Sequence, residues 1–183
     1  MERKVSTKVL SSENNFPEIY LSVIQVAEDH RGDKHFGIDY LSFARILKQY
    51  FWNANLQGGS TIEQQLVRTL TGRYEITIKR KLVEQLLAIL ISYRFSKLQI
   101  ASSYLNHAYL GTNITGLSEL AKKLKLDIKK DSLQLAVEYS VRLKYPEPSK
   151  VNKQWLLKYE RRKVHILNLL SKNTYLHTPI IEN

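Results

Sequence analysis

The chain has 183 residues, 43% of them hydrophobic and 25% charged, which is the size and composition of one globular domain. The absence of cysteine excludes disulfides, thiolate metal sites and a cysteine nucleophile. Lys and Arg total 28 against 17 Asp and Glu, and the resulting net charge of +11 favours an anionic partner; no zinc-finger spacing or RNP-type aromatic motif points to nucleic acid.

Residues 1–16 read as a polar N-terminal arm and 17–183 as a single domain. Arg3, Lys4 and Lys8 are followed by polar residues and not by an apolar stretch, so the arm does not read as a signal peptide. The longest apolar run, 86–91, is far short of the ~20 residues that cross a bilayer. From Pro17 the pattern is helical, with Ile19, Val23 and Val26 on one face of a segment that ends at Glu28. Residues 30–37, with Gly32 and Gly37, read as a loop. Residues 38–51 are periodic again, and Leu41, Phe43, Ile46, Leu47, Tyr50 and Phe51 make a wide apolar stripe. A turn at 57–61 delivers Ser60 or Thr61 as the N-cap of a helix running through Arg68. Helices are expected over 77–93 and over 97–109, the second closed by Gly111, then over 117–126 and 132–143. Pro146 and Pro148 stop the run, and a last helix covers 152–171. Alternation of β-branched residues is scarce, so the fold class is mainly α.

Four blocks carry chemistry. In the first, Glu28 and Asp29 stand at a helix end before a loop containing His35 and Gly37, with Asp39 just beyond it. A carboxylate in a cleft acts as a general base when partial burial raises its pKa; a solvated helix terminus is the plain alternative. His35 and Asp39, four apart, can pair on one face. In the second block, Gly58, Gly59, Ser60 and Thr61 precede Gln64, Gln65 and Arg68. Backbone N–H groups and the dipole at such a helix start suit an anion, although the P-loop spacing is missing and a simply capped helix has the same pattern. The third block puts Arg80 and Glu84 at i and i+4 with Lys81 between them, either a surface ion pair or an acid kept ionised among cations that steer a phosphate or a metal ion. The fourth runs from Ser96 and Lys97 through Tyr104, Leu105 and Asn106 to Tyr109, Gly111 and Gly116.

In this order the blocks resemble the motifs of glycosyltransferase family 51, the transglycosylase domain of class A penicillin-binding proteins and of monofunctional peptidoglycan glycosyltransferases. The resemblance covers about residues 17–170. Glu28, Asp29, His35, Gly37 and Asp39 match the first motif, in which Gly32 stands where the family has Phe. Residues 58–66 match the second, with Arg68 in place of Lys, and Arg80, Lys81 and Glu84 match the third. In the fourth, Leu98, Gln99 and Ser102 replace acids.

The resemblance implies a lysozyme-like, two-lobed fold with a membrane-facing jaw, and lipid II as substrate. Glu28 would be the general base, while Glu84 with Arg68, Arg80 and Lys81 would hold the leaving pyrophosphate, together with a divalent cation, Mg²⁺ or Mn²⁺, reached by Glu84. Asp29, His35, Asp39, Ser60, Thr61, Gln64, Gln65 and Asn106 would line the substrate site. Tyr50, Phe51 and Trp52 would meet the bilayer interface as part of the jaw. The enzyme would sit peripherally on the outer face of the bacterial cytoplasmic membrane, beside other cell-wall synthesis proteins. The motifs also fit a polymerase of another lipid-pyrophosphate-linked glycan, a lysozyme-like cleaver, and a degenerate domain that binds lipid-linked glycan without turnover.

Overall fold

The computed structural model describes residues 2–11, 16–41 and 59–172; Gly58 and most of the stripe expected over 38–51, with Trp52 beside it, lie outside them. The elements are α1 (Glu2–Leu10), α2 (Ile19–Glu28), α3 (Ile62–Thr71), α4 (Ile78–Arg94), α5 (Lys97–His107), β1 (Tyr109–Gly111), β2 (Ile114–Thr115), α6 (Gly116–Leu124), α7 (Ser132–Lys144) and α8 (Lys153–Lys172). The fold is mainly α, as the sequence predicts.

Each helix start that carries the site has a local cause. Thr61 caps α3 by accepting from Gln64 N at 3.3 Å, and Thr77 caps α4 by accepting from Arg80 N at 3.2 Å. Ser96 and Gln99 form a reciprocal capping box at α5. α3 ends at Gly72, whose left-handed φ of 66° a side chain would disfavour.

α7 is the centre of the core: residues 135–142 are all buried, so it is covered on every side. α2 packs on α7 and α8, and α3 packs on α4 and α5. The charges inside α7 are paired, with Arg142 Nη1 2.5 Å from Glu138 Oε2 and Nη2 2.9 Å from Glu147 Oε2.

Two expectations are corrected. The N-terminal residues are a helix, not a polar arm, because Val5 and Val9 lie one turn apart and are buried, with α1 packed on α3 and α5. The fifth helix ends at His107, and Tyr109 belongs to a hairpin strand that pairs antiparallel with β2. The turn takes its left-handed residue from Asn113, at φ 59°, a conformation Asn tolerates.

The loop after α2 is held by two glycines. Gly37 adopts φ 76°, and a Cβ there would lie 2.5 Å from Ala88 O, so the loop rests directly on the backbone of α4. Gly32 donates its N–H to Asp29 O at 2.7 Å, and Gln25 fills the space a larger side chain would need.

Candidate active site

The site is assembled around the N-terminal half of α3, where the loop from α2, the start of α4 and the start of α5 converge. Asp29 is the joint of this arrangement. Both of its carboxylate oxygens lie 3.0 Å from His35 Nε2, and Oδ2 accepts from Ile62 N at 3.2 Å, so the acid also answers an orphan amide at the start of α3. Thr61 Oγ1 donates to Gly37 O at 2.7 Å and adds a second tie between loop and helix. The pairing of His35 with Asp39 that their spacing allows does not occur. His35 is in extended backbone after a 3₁₀ turn, so the helical i, i+4 relation is lost, and Asp39 instead meets Arg31 Nε at 3.1 Å.

Glu63 lies beneath this joint. It is 1% exposed, forms an ion pair with Lys97 Nζ, and lies close to Asp29 and His35. Lys97 Nζ also donates to His35 O at 3.1 Å. The three side chains have the spacing of a metal cage, but the ammonium already supplies the cation there and would repel a divalent ion.

Glu28, at the last turn of α2, is half-buried. Arg162 of α8 donates from Nη2 to Glu28 Oε1 at 2.7 Å and to Ala27 O at 2.7 Å. Burial pushes the Glu28 carboxyl above the usual carboxylate range, and the charge and hydrogen bond of Arg162, with smaller contributions from Lys144 and Gln65, pull against that rise without cancelling it. A carboxyl raised in this way meets one requirement for a general base. Gln65 is fixed from both ends: its Oε1 accepts from Tyr104 OH at 2.6 Å and its Nε2 donates to Ser60 O at 3.3 Å.

Around Arg68, further along α3, stands a cationic cluster. Arg68 Nε lies 3.1 Å and Nη2 3.4 Å from Glu84, Lys81 Nζ lies 2.6 Å from Glu84 Oε1, and Arg80 pairs with Oε2. Ser60 Oγ accepts from Arg68 Nη2 at 3.2 Å and from Lys81 Nζ at 3.4 Å, and Gln64 Oε1 accepts from Lys81 at 3.3 Å. Burial alone would raise the Glu84 carboxyl, but hydrogen bonds and charge from Arg68 and Lys81 outweigh it and hold the group below its ordinary value. Glu84 is 3% exposed while Arg68 and Lys81 are about one-third exposed, so the acid backs the cluster and the cations face outward. Three cations against one carboxylate leave a surplus suited to a pyrophosphate.

The expected divalent cation does not fit directly on Glu84. Each of its oxygens already accepts two hydrogen bonds, which uses all four lone-pair directions of an ionised carboxylate.

An open cleft of about 510 Å³ runs beside α3, lined by Gln65, Arg68, Tyr74, Tyr104, Tyr109 and Leu143. It is therefore lined by Arg68 of the cationic cluster together with Gln65 and Tyr104, the neighbours of Glu28. Asn106, in the last turn of α5, joins neither group through its side chain among the described residues. Arg162, Glu63 and Lys97 are functional neighbours that motif reading did not assign. Arg162 carried a signal, because it lies on the same face of α8 as Ile166 and Leu170, where an apolar residue is expected.

A broad apolar surface adjoins the site. Ile78, Leu82, Leu86 and Tyr93 project outward from α4, and Phe36 stacks on Tyr93 with ring centroids 6.1 Å apart. Ile76, just before α4, is fully exposed. Among the described residues no helix is long and apolar enough to cross a membrane.

The family described as Transglycosylase matches residues 2–170. Penicillin-binding protein 1A of Aquifex aeolicus is 38% identical over 110 residues, covering 60% of this chain and 15% of that protein. Penicillin-binding protein 1B of Haemophilus influenzae is 36% identical over 100 residues, covering 54% and 13%. Penicillin-binding protein 1A of Rickettsia typhi is 32% identical over 125 residues, covering 66% and 15%. The matched region is thus a small part of the length of each of these relatives.

Proposed function

The chain belongs to the transglycosylase family, glycosyltransferases of peptidoglycan synthesis with a mainly α, lysozyme-like fold, and we propose that it polymerises lipid II with Glu28 as general base. The observation that carries this reading is the division of labour along α3. A carboxylate raised by burial stands beside Gln65, a surplus of cations gathers around Arg68 three residues further along the same helix, and an open cleft is lined by both Gln65 and Arg68.

Glu28 takes the proton of the acceptor 4-hydroxyl as that oxygen attacks the anomeric carbon of the donor. The new glycosidic bond forms as the bond from that carbon to the pyrophosphate oxygen breaks, and inversion converts the α-linked donor into a β-1,4 product. The electron pair leaves on the lipid pyrophosphate, which Arg68, Arg80 and Lys81 stabilise by charge, with Ser60 and Gln64 holding the cations in place. Neutralising the leaving group in this way removes the need for the second, protonating carboxyl of a glycosidase. The protein's own cations supply the charge in each step, since Glu84 offers no free oxygen to a metal.

The apolar face of α4, continued by Phe36, is suited to the bilayer interface, where it would bring the cleft to the lipid-linked substrate. The net charge of +11 favours an anionic membrane surface. We place the enzyme peripherally on the outer face of the cytoplasmic membrane, among other cell-wall synthesis proteins.

Incubation with labelled lipid II in detergent is expected to give muramidase-sensitive polymer, and Glu28→Gln to give none. Polymer made equally well by the variant would overturn the role of Glu28, and binding without turnover by the wild type would make this a binding domain.

A further inference from the structure

We propose that Arg162 is a positioning residue that clamps Glu28 at Oε1 and so orients its carboxylate to meet the acceptor hydroxyl. This rests on the reading of Glu28 as the base. Arg162 is 9% exposed and comes from α8, 134 positions along the chain from its partner. Its Nη2 donates at 2.7 Å both to Glu28 Oε1 and to Ala27 O. The second bond is the informative one. It ties the guanidinium to the backbone of the same helix turn that carries Glu28, so the cation moves with the base and cannot swing toward the leaving group. A counter-ion held this way fixes the orientation of the Glu28 carboxylate.

The clamp also sets basicity. Burial raises the Glu28 carboxyl and Arg162 opposes the rise. The other groups that face Glu28 are Lys144 of α7, Gln65 of α3 and Tyr104 of α5, and of these only Lys144 is a cation. Asp29, next in sequence, is engaged with His35 and Ile62. Without Arg162, burial would be opposed chiefly by Lys144.

The test follows the Glu28 carboxyl by NMR in protein carrying side-chain ¹³C glutamate, with Glu28→Gln for assignment, alongside the pH dependence of lipid II polymerisation. Arg162→Gln is expected to raise the Glu28 titration midpoint by about one to three units, the usual effect of a close opposite charge, and to move the acidic limb of the rate profile upward with it. Arg162→Lys keeps the charge but not the paired geometry. Its midpoint should stay near that of the wild type while kcat falls on the order of 10–100-fold and KM changes little. An unmoved midpoint in folded Arg162→Gln, or full kcat in Arg162→Lys, would overturn the proposal. If Arg162→Gln does not fold, Arg162→Lys decides the matter alone. Should the wild type make no polymer while the midpoint still moves in Arg162→Gln, the ion pair stands and the assigned reaction falls.

Discussion

The Tyr104 hydroxyl donates to Gln65 Oε1 at 2.6 Å, and this one bond orients the amide that stands between Glu28 and Ser60. Tyr104 is itself held by Tyr139, whose hydroxyl donates to Tyr104 O at 2.7 Å. The amide can therefore present its NH₂ in only one direction. Tyr104→Phe should lower kcat with little change in KM and destabilise the fold by about 0.5–1.5 kcal/mol, the net worth of one hydrogen bond. Steady-state kinetics and urea melts would check both, and an unchanged kcat would show that the amide needs no orienting.

Glu28→Gln should abolish polymerisation and yet raise the melting temperature at neutral pH. The folded-state pKa of Glu28 is raised, so its ionisation opposes folding. That opposition is absent below the unfolded value of ~4.3 and grows as pH rises toward the folded value. The gain should thus be present at pH 7 and vanish near pH 4, with Tm moving about 2–4 °C per kcal/mol. Calorimetry at the two pH values tests the sign. A variant that melts lower at pH 7 would mean that Arg162 depends on the carboxylate more than burial penalises it.

Inorganic pyrophosphate should stabilise the wild type, by about 2.7 kcal/mol at one hundred times its Kd. Arg80→Ala should remove most of that stabilisation, and EDTA should leave it intact, because the protein's own cations provide the positive charge. Thermal shift assays with and without chelator would show it. Loss of the effect in EDTA would restore a metal ion to the cluster.

Arg142→Met should destabilise the domain by about 3–5 kcal/mol, as expected when a buried ion pair loses one partner. Burial would raise Glu138 and Glu147, but hydrogen bonds from Tyr159, Lys163 and Arg142 to the first, and from Lys123 and Arg142 to the second, hold both below the ordinary value. Their contribution is therefore present above pH ~4.3 and lost as the solution is acidified. In Arg142→Met the decline of stability on acidification should flatten. A wild type whose stability is level from pH 6 to pH 3 would contradict this.

Most of the helices were legible because their apolar residues recur at helical spacing and their ends carry caps, as at Thr61 and Thr77. The Arg80–Glu84 pair was legible for the same reason, being local to one helix. What escaped depends on neighbours far away in sequence. Val5 and Val9 look incidental in a polar stretch until α3 and α5 cover them. His35 pairs with Asp29, not Asp39, because the loop between them is not helical. Glu63 occupies a motif position without a required residue, and only the approach of Lys97 from α5 gives it a role. Arg162 sits on the buried stripe of α8, and nothing within that helix says which acid it meets.

The distance in sequence between Glu28 and Arg162 has a consequence for synthesis. A chain emerging from the ribosome exposes its carboxylate early, but the guanidinium that aims it arrives only when the α8 segment has been made and docked on α2. Until then the nascent protein holds an unaimed acid, so competence for glycan synthesis arrives with the closing of the domain and not with the appearance of the motif. Fraying of α8 in the finished protein would undo the same step.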